Sequence, residues 1–212
     1  MLLRKIDVEM EILETGELRN IGASVLSLLI SFSDDRAAIA KCISLEGTKL
    51  LIKTSDGVVT SRVILANGER IRVSFSWICD FSINLRTGMM VKLNNIDAKI
   101  ISVKVEEREI SEKKSSVIIV DTVSPIAIFN QIPEPLELLN KYVKLGIISE
   151  DDLNKSWISE HRIRGKYNGR FYEINGFMKI NIPSGISNEL IEALGLGRIT
   201  CVGYGTVKTL SK

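Results

Sequence analysis

Apolar and polar residues alternate from the start of the chain. Ile6, Val8, Met10 and Ile12 interleave with Lys5, Asp7, Glu9 and Glu11, the period-two pattern of a half-buried strand. Thr15-Gly16 breaks it, and Asn20 predicts the cap of a helix over roughly Ile21 to Ser33, apolar on most sides and so well buried. Asp34-Asp35 interrupt or recap that helix, and Arg36 to Ile43 read as helical again. A run of strands follows. Lys49 to Thr54 and Val58 to Leu65 flank the hairpin signal Asp56-Gly57, and Asn67-Gly68 precedes the alternating Ile71, Val73, Phe75 and Trp77. Met89 to Leu93 and Lys99 to Val105 predict another pair across Asn94-Asn95. Glu106 to Ser116, charged and without apolar period, reads as a linker.

The pattern then resumes. Val117 to Thr122 is a β run, and Ser124-Pro125 turns into Ile126 to Phe129, where the proline fits a strand start or an edge. Glu134 to Leu145 predicts a helix with Pro135 in its first turn and Gly146 past its end, and Ser149 caps a second helical stretch. Arg162 to Lys166 and Arg170 to Ile182 form a hairpin around Asn168-Gly169; a last helix from Ser187 to Leu194 leads to a final strand. The order β, α, α, β, β, α, β is close to the split βαβ arrangement, and the first part is a more irregular version of its opening. The fold class is therefore α+β with antiparallel sheets, in two ferredoxin-like (RRM-like) domains over residues 1–110 and 117–212.

The densest signal lies between the last helix and the last strand. Gly195-Leu196-Gly197 and Gly203-Tyr204-Gly205 form two Gly-x-Gly pairs, which demand positive φ or close approach of the backbone to something bulky. The glycines follow a helix and precede a strand, the reverse of the dinucleotide-binding order, and no Gly-Lys-Ser/Thr follows to make a P-loop.

Composition adds two constraints. The 212 residues are 45% hydrophobic, enough for a sizeable core, and the longest apolar run, Val25 to Phe32, falls far short of the ~20 residues of a membrane span. No signal peptide is read at Leu2-Leu3-Arg4-Lys5, so the expected location is cytoplasmic. Cys42, Cys79 and Cys201 are scattered without metal-ligand spacing, and their odd number fits a reducing cytosol. Cys201 reads as a small buried residue rather than a nucleophile. The net charge of +2 hides an asymmetry: residues 161–212 carry eight Lys/Arg against three acids, the footprint of a polyanion partner or of a solvated basic surface.

The two glycine pairs, together with Val123-Ser124-Pro125-Ile126, resemble the RAMP superfamily of CRISPR-associated proteins, and most of all the CRISPR repeat-processing endoribonucleases. Those chains tend to end in Gly-Leu-Gly then Gly-Phe-Gly, where Tyr204 stands here for the Phe. The resemblance implies tandem ferredoxin-like domains and RNA held on a basic face near the glycine loop. It also implies metal-independent cleavage, in which a ribose 2′-hydroxyl attacks the adjacent phosphate to leave a cyclic phosphate. No cofactor and no metal are called for. The implied partners are CRISPR repeat RNA, other CRISPR-associated subunits and a second copy of the chain.

That chemistry needs a general base, a general acid and a cation for the charged phosphorane. Many family members carry a histidine in or near the first helix; this chain has none there. The catalytic candidates are Lys41 and the single histidine, His161, which reads either as an acid/base or as a plain surface residue. The RNA-binding candidates are Arg162, Arg164, Lys166 and Arg170 of the hairpin, interleaved with Tyr167, Phe171 and Tyr172, and Gly195, Gly197, Arg198, Gly203, Gly205 and Lys208 of the loop. Phe75, Trp77 and Trp157 read as core. Two other readings stand beside the endoribonuclease: a non-catalytic RAMP subunit of an interference complex, and a ferredoxin-like interaction module marked by an apolar pocket without a basic rim.

Overall fold

A computed structural model describes residues 1–110 and 113–210. β1 (Leu2–Ile12) is long because its alternation is unbroken, and it sits in the middle of a six-stranded antiparallel sheet. Its neighbours are β6 (Arg70–Trp77) and β8 (Ile96–Glu109); outside them lie β3 (Thr48–Thr54), the two-residue β4 (Gly57–Val58) and β7 (Met90–Leu93). The apolar side of β1, with Ile6, Val8, Met10 and Ile12, packs under α1 (Ile21–Ser31) and α2 (Arg36–Ser44). Asn20 caps α1 through its side-chain oxygen, which accepts from Ala23 N at 3.0 Å, and Asp35 recaps α2 the same way.

The second sheet repeats the scheme. β9 (Ser115–Thr122) is flanked by β13 (Val207–Thr209) and β12 (Tyr172–Ile186), and β11 (Trp157–Tyr167) pairs with β12. β10 (Ile126–Ile128) prolongs β9 beyond Pro125 and pairs with β12, an edge position as expected for that proline. α3 (Pro135–Lys144), α4 (Glu150–Asn154) and α5 (Asn188–Leu194) complete the second half. Numbered within their own halves, the principal strands run in the spatial order second, third, first, fourth in both sheets: β3-β6-β1-β8 and β11-β12-β9-β13. This is the ferredoxin-like order, twice. In the first half a coil over residues 78–89, carrying Phe81, Ile83 and Leu85 into the core, stands where the second half has α5.

Four expectations change. Val58 to Leu65 is not one strand: β4 closes the hairpin, and β5 (Val63–Leu65) leaves to pair with β2 (Gly16–Leu18). Glu106 to Glu109 is not linker but the end of β8, paired with Leu2 to Lys5; it lacks apolar period because both its faces extend beyond the core. β9 begins at Ser115, and residues 111 and 112 of the expected linker lie outside the described residues. Cys42 and Cys79 form a disulfide with a Cα–Cα distance of 5.9 Å, because the turn after α2 brings Gly47 against both sulfurs. Separation of 37 residues in sequence concealed that proximity, and the odd-cysteine argument for a reducing compartment no longer holds. Trp157 is 54% exposed rather than core, while Phe75 and Trp77 are buried and stacked. No helix among the described residues is long and apolar enough to cross a membrane.

Candidate nucleic-acid interface

Positive φ is found at Gly195, Gly197, Gly203 and Gly205, as the sequence requires. At three of them close approach adds to this: a Cβ at Gly205 would lie 2.0 Å from Leu196 O, one at Gly195 2.3 Å from Gly205 O and one at Gly197 2.5 Å from Ile126 Cγ2, whereas at Gly203 nothing comes nearer than 3.7 Å. The Ser-Pro-Ile segment is the seat of the loop. Gly205 N donates to Pro125 O at 2.8 Å, Thr206 N donates to Ser124 Oγ at 2.9 Å, and Arg198 N donates to Ala127 O at 3.3 Å. Gly197 N donates to Leu138 O at 3.0 Å, and the amides of Gly195 and Gly203 donate to Ile191 O and Thr200 O. All four glycine amides are thus used within the protein, and none is left to hold a phosphate. The glycines shape the loop; the side chains it turns outward are Arg198 and Ile199.

The loop also joins the two halves. Thr200 Oγ1 donates to Thr48 O of β3 at 2.8 Å, and Gly22 of α1 leaves room for Val202 O, which a Cβ there would meet at 2.0 Å. Two buried lysines meet the C-terminal carbonyls of α5, where the helix dipole is negative. Lys141 Nζ donates to Leu194 O at 2.9 Å and to Thr200 Oγ1 at 3.2 Å, while Lys49 Nζ donates to Glu192 O. Burial pulls Lys141 down to about 7, against the opposing pull of Glu46, and Lys49 down to about 8, against that of Glu192. Tyr142 Oη donates to Gly195 O at 2.7 Å, and burial pushes its own pKa well up. Sequence reading missed these lysines, although Lys141 shows one sign: it lies three residues beyond Leu138, on the apolar stripe of α3. Burial raises the Cys201 pKa, in keeping with a non-nucleophilic residue.

The hairpin β11–β12 brings the other basic candidates together. Arg162, Arg164 and Lys166 stand opposite Phe177, Asn175 and Glu173, on the face turned away from buried Ile174, Met178 and Ile180. Phe177 pairs across to Asp121, which pairs with Lys208, so one row across the second sheet reads Arg162, Phe177, Asp121, Lys208. With strands ~4.8 Å apart, Arg162 lies beside the half-buried Phe177 and Lys208 lies beyond Asp121 on the same face. Arg170 lies exposed in the turn beyond, where Tyr167 packs on Tyr172 and Phe171 meets Tyr204 of the loop at 5.3 Å. Among the described residues, Arg164, Lys166, Arg170 and Lys208 have no ion pair, and Arg162 has one, to Glu160, at 3.7 Å.

The catalytic candidates are not brought together. Lys41 is exposed near the end of α2, and His161 is exposed on β11, facing away from the arginine row. No hydrogen bond or ion pair orients either side chain among the described residues.

These features define a class: two tandem ferredoxin-like halves locked by a glycine loop beside a basic hairpin. No family model matches the sequence, and no curated protein matches it. Solved structures do. A Cas6 product complex aligns with a TM-score of 0.61 at 13% identity, over 98% of this chain and 100% of that one. The product of a Cas6-related gene from Pyrococcus furiosus gives 0.54 at 14% identity over 98% of each chain, and Thermus thermophilus Cas6 gives 0.53 at 12%, over 99% and 98%. At such identities the shared property is the fold. The chain has the tandem ferredoxin-like fold of the Cas6 structures, as the resemblance read from the glycine pairs implied.

Proposed function

We propose that this chain binds CRISPR repeat RNA along the second sheet and its hairpin, and that it processes the precursor RNA without a metal ion. The observation that carries the reading is the cluster of unpaired cations, Arg164, Lys166, Arg170 and Lys208, on a fold shared end to end with Cas6 product complexes. Guanidinium and ammonium groups there neutralise phosphates, Phe177, Tyr167 and Tyr172 offer ring faces, and the glycines hold Arg198 toward the RNA. In the cleavage step a base takes the 2′-hydroxyl proton, the 2′ oxygen attacks phosphorus, and the bond to the 5′ oxygen breaks as that oxygen gains a proton. His161 and Lys41 are the candidates for these transfers, with a neighbouring cation stabilising the phosphorane. The two cores, one per sheet, support residues 1–110 and 117–212 as two units, with Leu3 and Ile110 of the first packing into the core of the second. A cytoplasmic setting goes with this reading.

A second reading has its own observation. Neither Lys41 nor His161 has an orienting partner, which favours a RAMP subunit that binds RNA without cutting it. Incubation with a CRISPR repeat RNA in EDTA separates the two. Defined products ending in a cyclic phosphate identify the enzyme, and His161→Ala should then lower the rate at least tenfold. Salt-sensitive binding without cleavage identifies the subunit, and the same titration reads whether one chain or a homodimer binds. Absence of binding at low salt overturns both.

A further inference from the structure

Beside the glycine loop the surface carries an aromatic ring that sequence reading passed over. Phe129, at the end of β10, is 55% exposed, and the Arg198 guanidinium carbon lies 4.3 Å from its ring centroid. The pair is held in place from both sides. Behind Phe129, the buried Glu137 carboxylate accepts from Phe129 N at 2.8 Å and from Asn130 N at 3.3 Å. Beside Arg198, the backbone of Ile199 is left-handed at φ 50, an unfavourable conformation for a β-branched residue. Such strain persists only where the surroundings impose it, here through Arg198 N on Ala127 O and Val202 N on Ile199 O. Phe129, Arg198, Ile199 and Phe171 edge a shallow cleft of about 50 Å³, too small to enclose a base but open to a ring laid across it.

We propose that Phe129 and Arg198 form a stacking platform for one unpaired nucleobase. The inference rests on the RNA reading above and adds to it a preference for a single-stranded nucleotide beside the hairpin. A bare apolar patch would serve a protein partner as well, but a guanidinium laid on the ring favours an anionic ligand with a π-face. Arg170, exposed and next to Phe171 in the chain, is the cation assigned to the backbone phosphate of that nucleotide.

The test compares two probes at low salt: a short single-stranded oligoadenylate and a blunt RNA duplex of equal length, both followed by fluorescence anisotropy. Phe129→Ala should weaken oligoadenylate binding roughly tenfold and change duplex binding less than twofold. Phe129→Trp should restore the affinity and, in a Trp157→Phe background, show quenching on addition of oligoadenylate. Arg198→Lys, which keeps the charge and loses the plane, should also weaken the single strand more than the duplex. If wild type binds and Phe129→Ala binds both probes as wild type does, the platform is wrong and the RNA reading stands. Equal losses on both probes overturn the platform too. So does unchanged RNA affinity accompanied by loss of wild-type self-association, which would assign the patch to protein contacts. A wild type that binds neither probe overturns the RNA reading and the platform together.

Discussion

Both sheets carry basic residues on their open faces, yet the two faces differ in what those residues do. On the first sheet the cations are largely matched: Lys5 with Asp7, Arg70 and Arg72 with Glu9, Lys92 with Asp97, Lys104 with Glu106. Hydrogen bonds to Asp97 and Glu106 hold Lys92 and Lys104 above the ordinary lysine value. On the second sheet and its hairpin, among the described residues, Arg164, Lys166, Arg170 and Lys208 form no ion pair, even though Glu173 and Asp121 stand across from Lys166 and Lys208, and only Arg162 is matched, to Glu160. One strand order therefore gives a face whose cations are mostly ion-paired and a face whose cations mostly are not. A count of charges over the chain hides this; the register of the strands reveals it.

The joint between the halves is where the comparison breaks hardest. Gly205→Ala forces a Cβ to within 2.0 Å of Leu196 O at φ 72, and should cost about 3 kcal/mol or more by chemical denaturation. Gly57→Ala, at φ 115 in the first-half hairpin with open space around it, should cost about 1 kcal/mol. Equal costs would mean that close packing is not what the loop glycines serve. Next in size is charge. Replacing Arg162, Arg164, Lys166 and Arg170 by Gln should weaken RNA binding about a hundredfold and reduce the slope of log affinity against log salt by about 3. Arg70→Gln with Arg72→Gln, on the matched face, should change affinity less than threefold; similar losses from both sets would erase the distinction.

The most gradual effect, spread over several pH units, concerns pH. Unfolded, Lys141 keeps its proton up to about 10.5; folded, it releases it near 7. The unfolded chain binds more protons between these values, so this group makes stability rise with pH there, by up to about 1.4 kcal/mol per unit. Lys141→Met removes that slope, so the stability advantage of wild type over the variant should shrink as pH falls from 10.5 toward 7. Parallel pH profiles for the two proteins would refute a buried, depressed Lys141.

Much of this was legible where a local rule sufficed. Alternation located β1 and β6, Asn20 and Asp35 declared their helix caps, and Asn168-Gly169 marked the hairpin turn. What escaped depended on distance through space. β5 left its expected partner for β2, Cys42 met Cys79, and charged Glu106 to Glu109 extended a strand because β1 was there to pair with it. In the site, the hairpin arginines and the loop were readable from spacing, and the shaping role of the glycines became visible only once their amides were traced. Phe129 had no signal beyond its place after a short apolar run.

The contact of Gly22 with Val202 acts as a ruler. The chain between the two glycine pairs has one permitted length, because it must span from its seat on Ser124 to Ala127 to the flank of α1 and return. The hairpin turn at Asn168-Gly169, with nothing near the glycine, faces no such gauge. Insertions there would lengthen the basic arm and leave both cores untouched, whereas one added residue between Gly197 and Gly203 would put the two halves out of step.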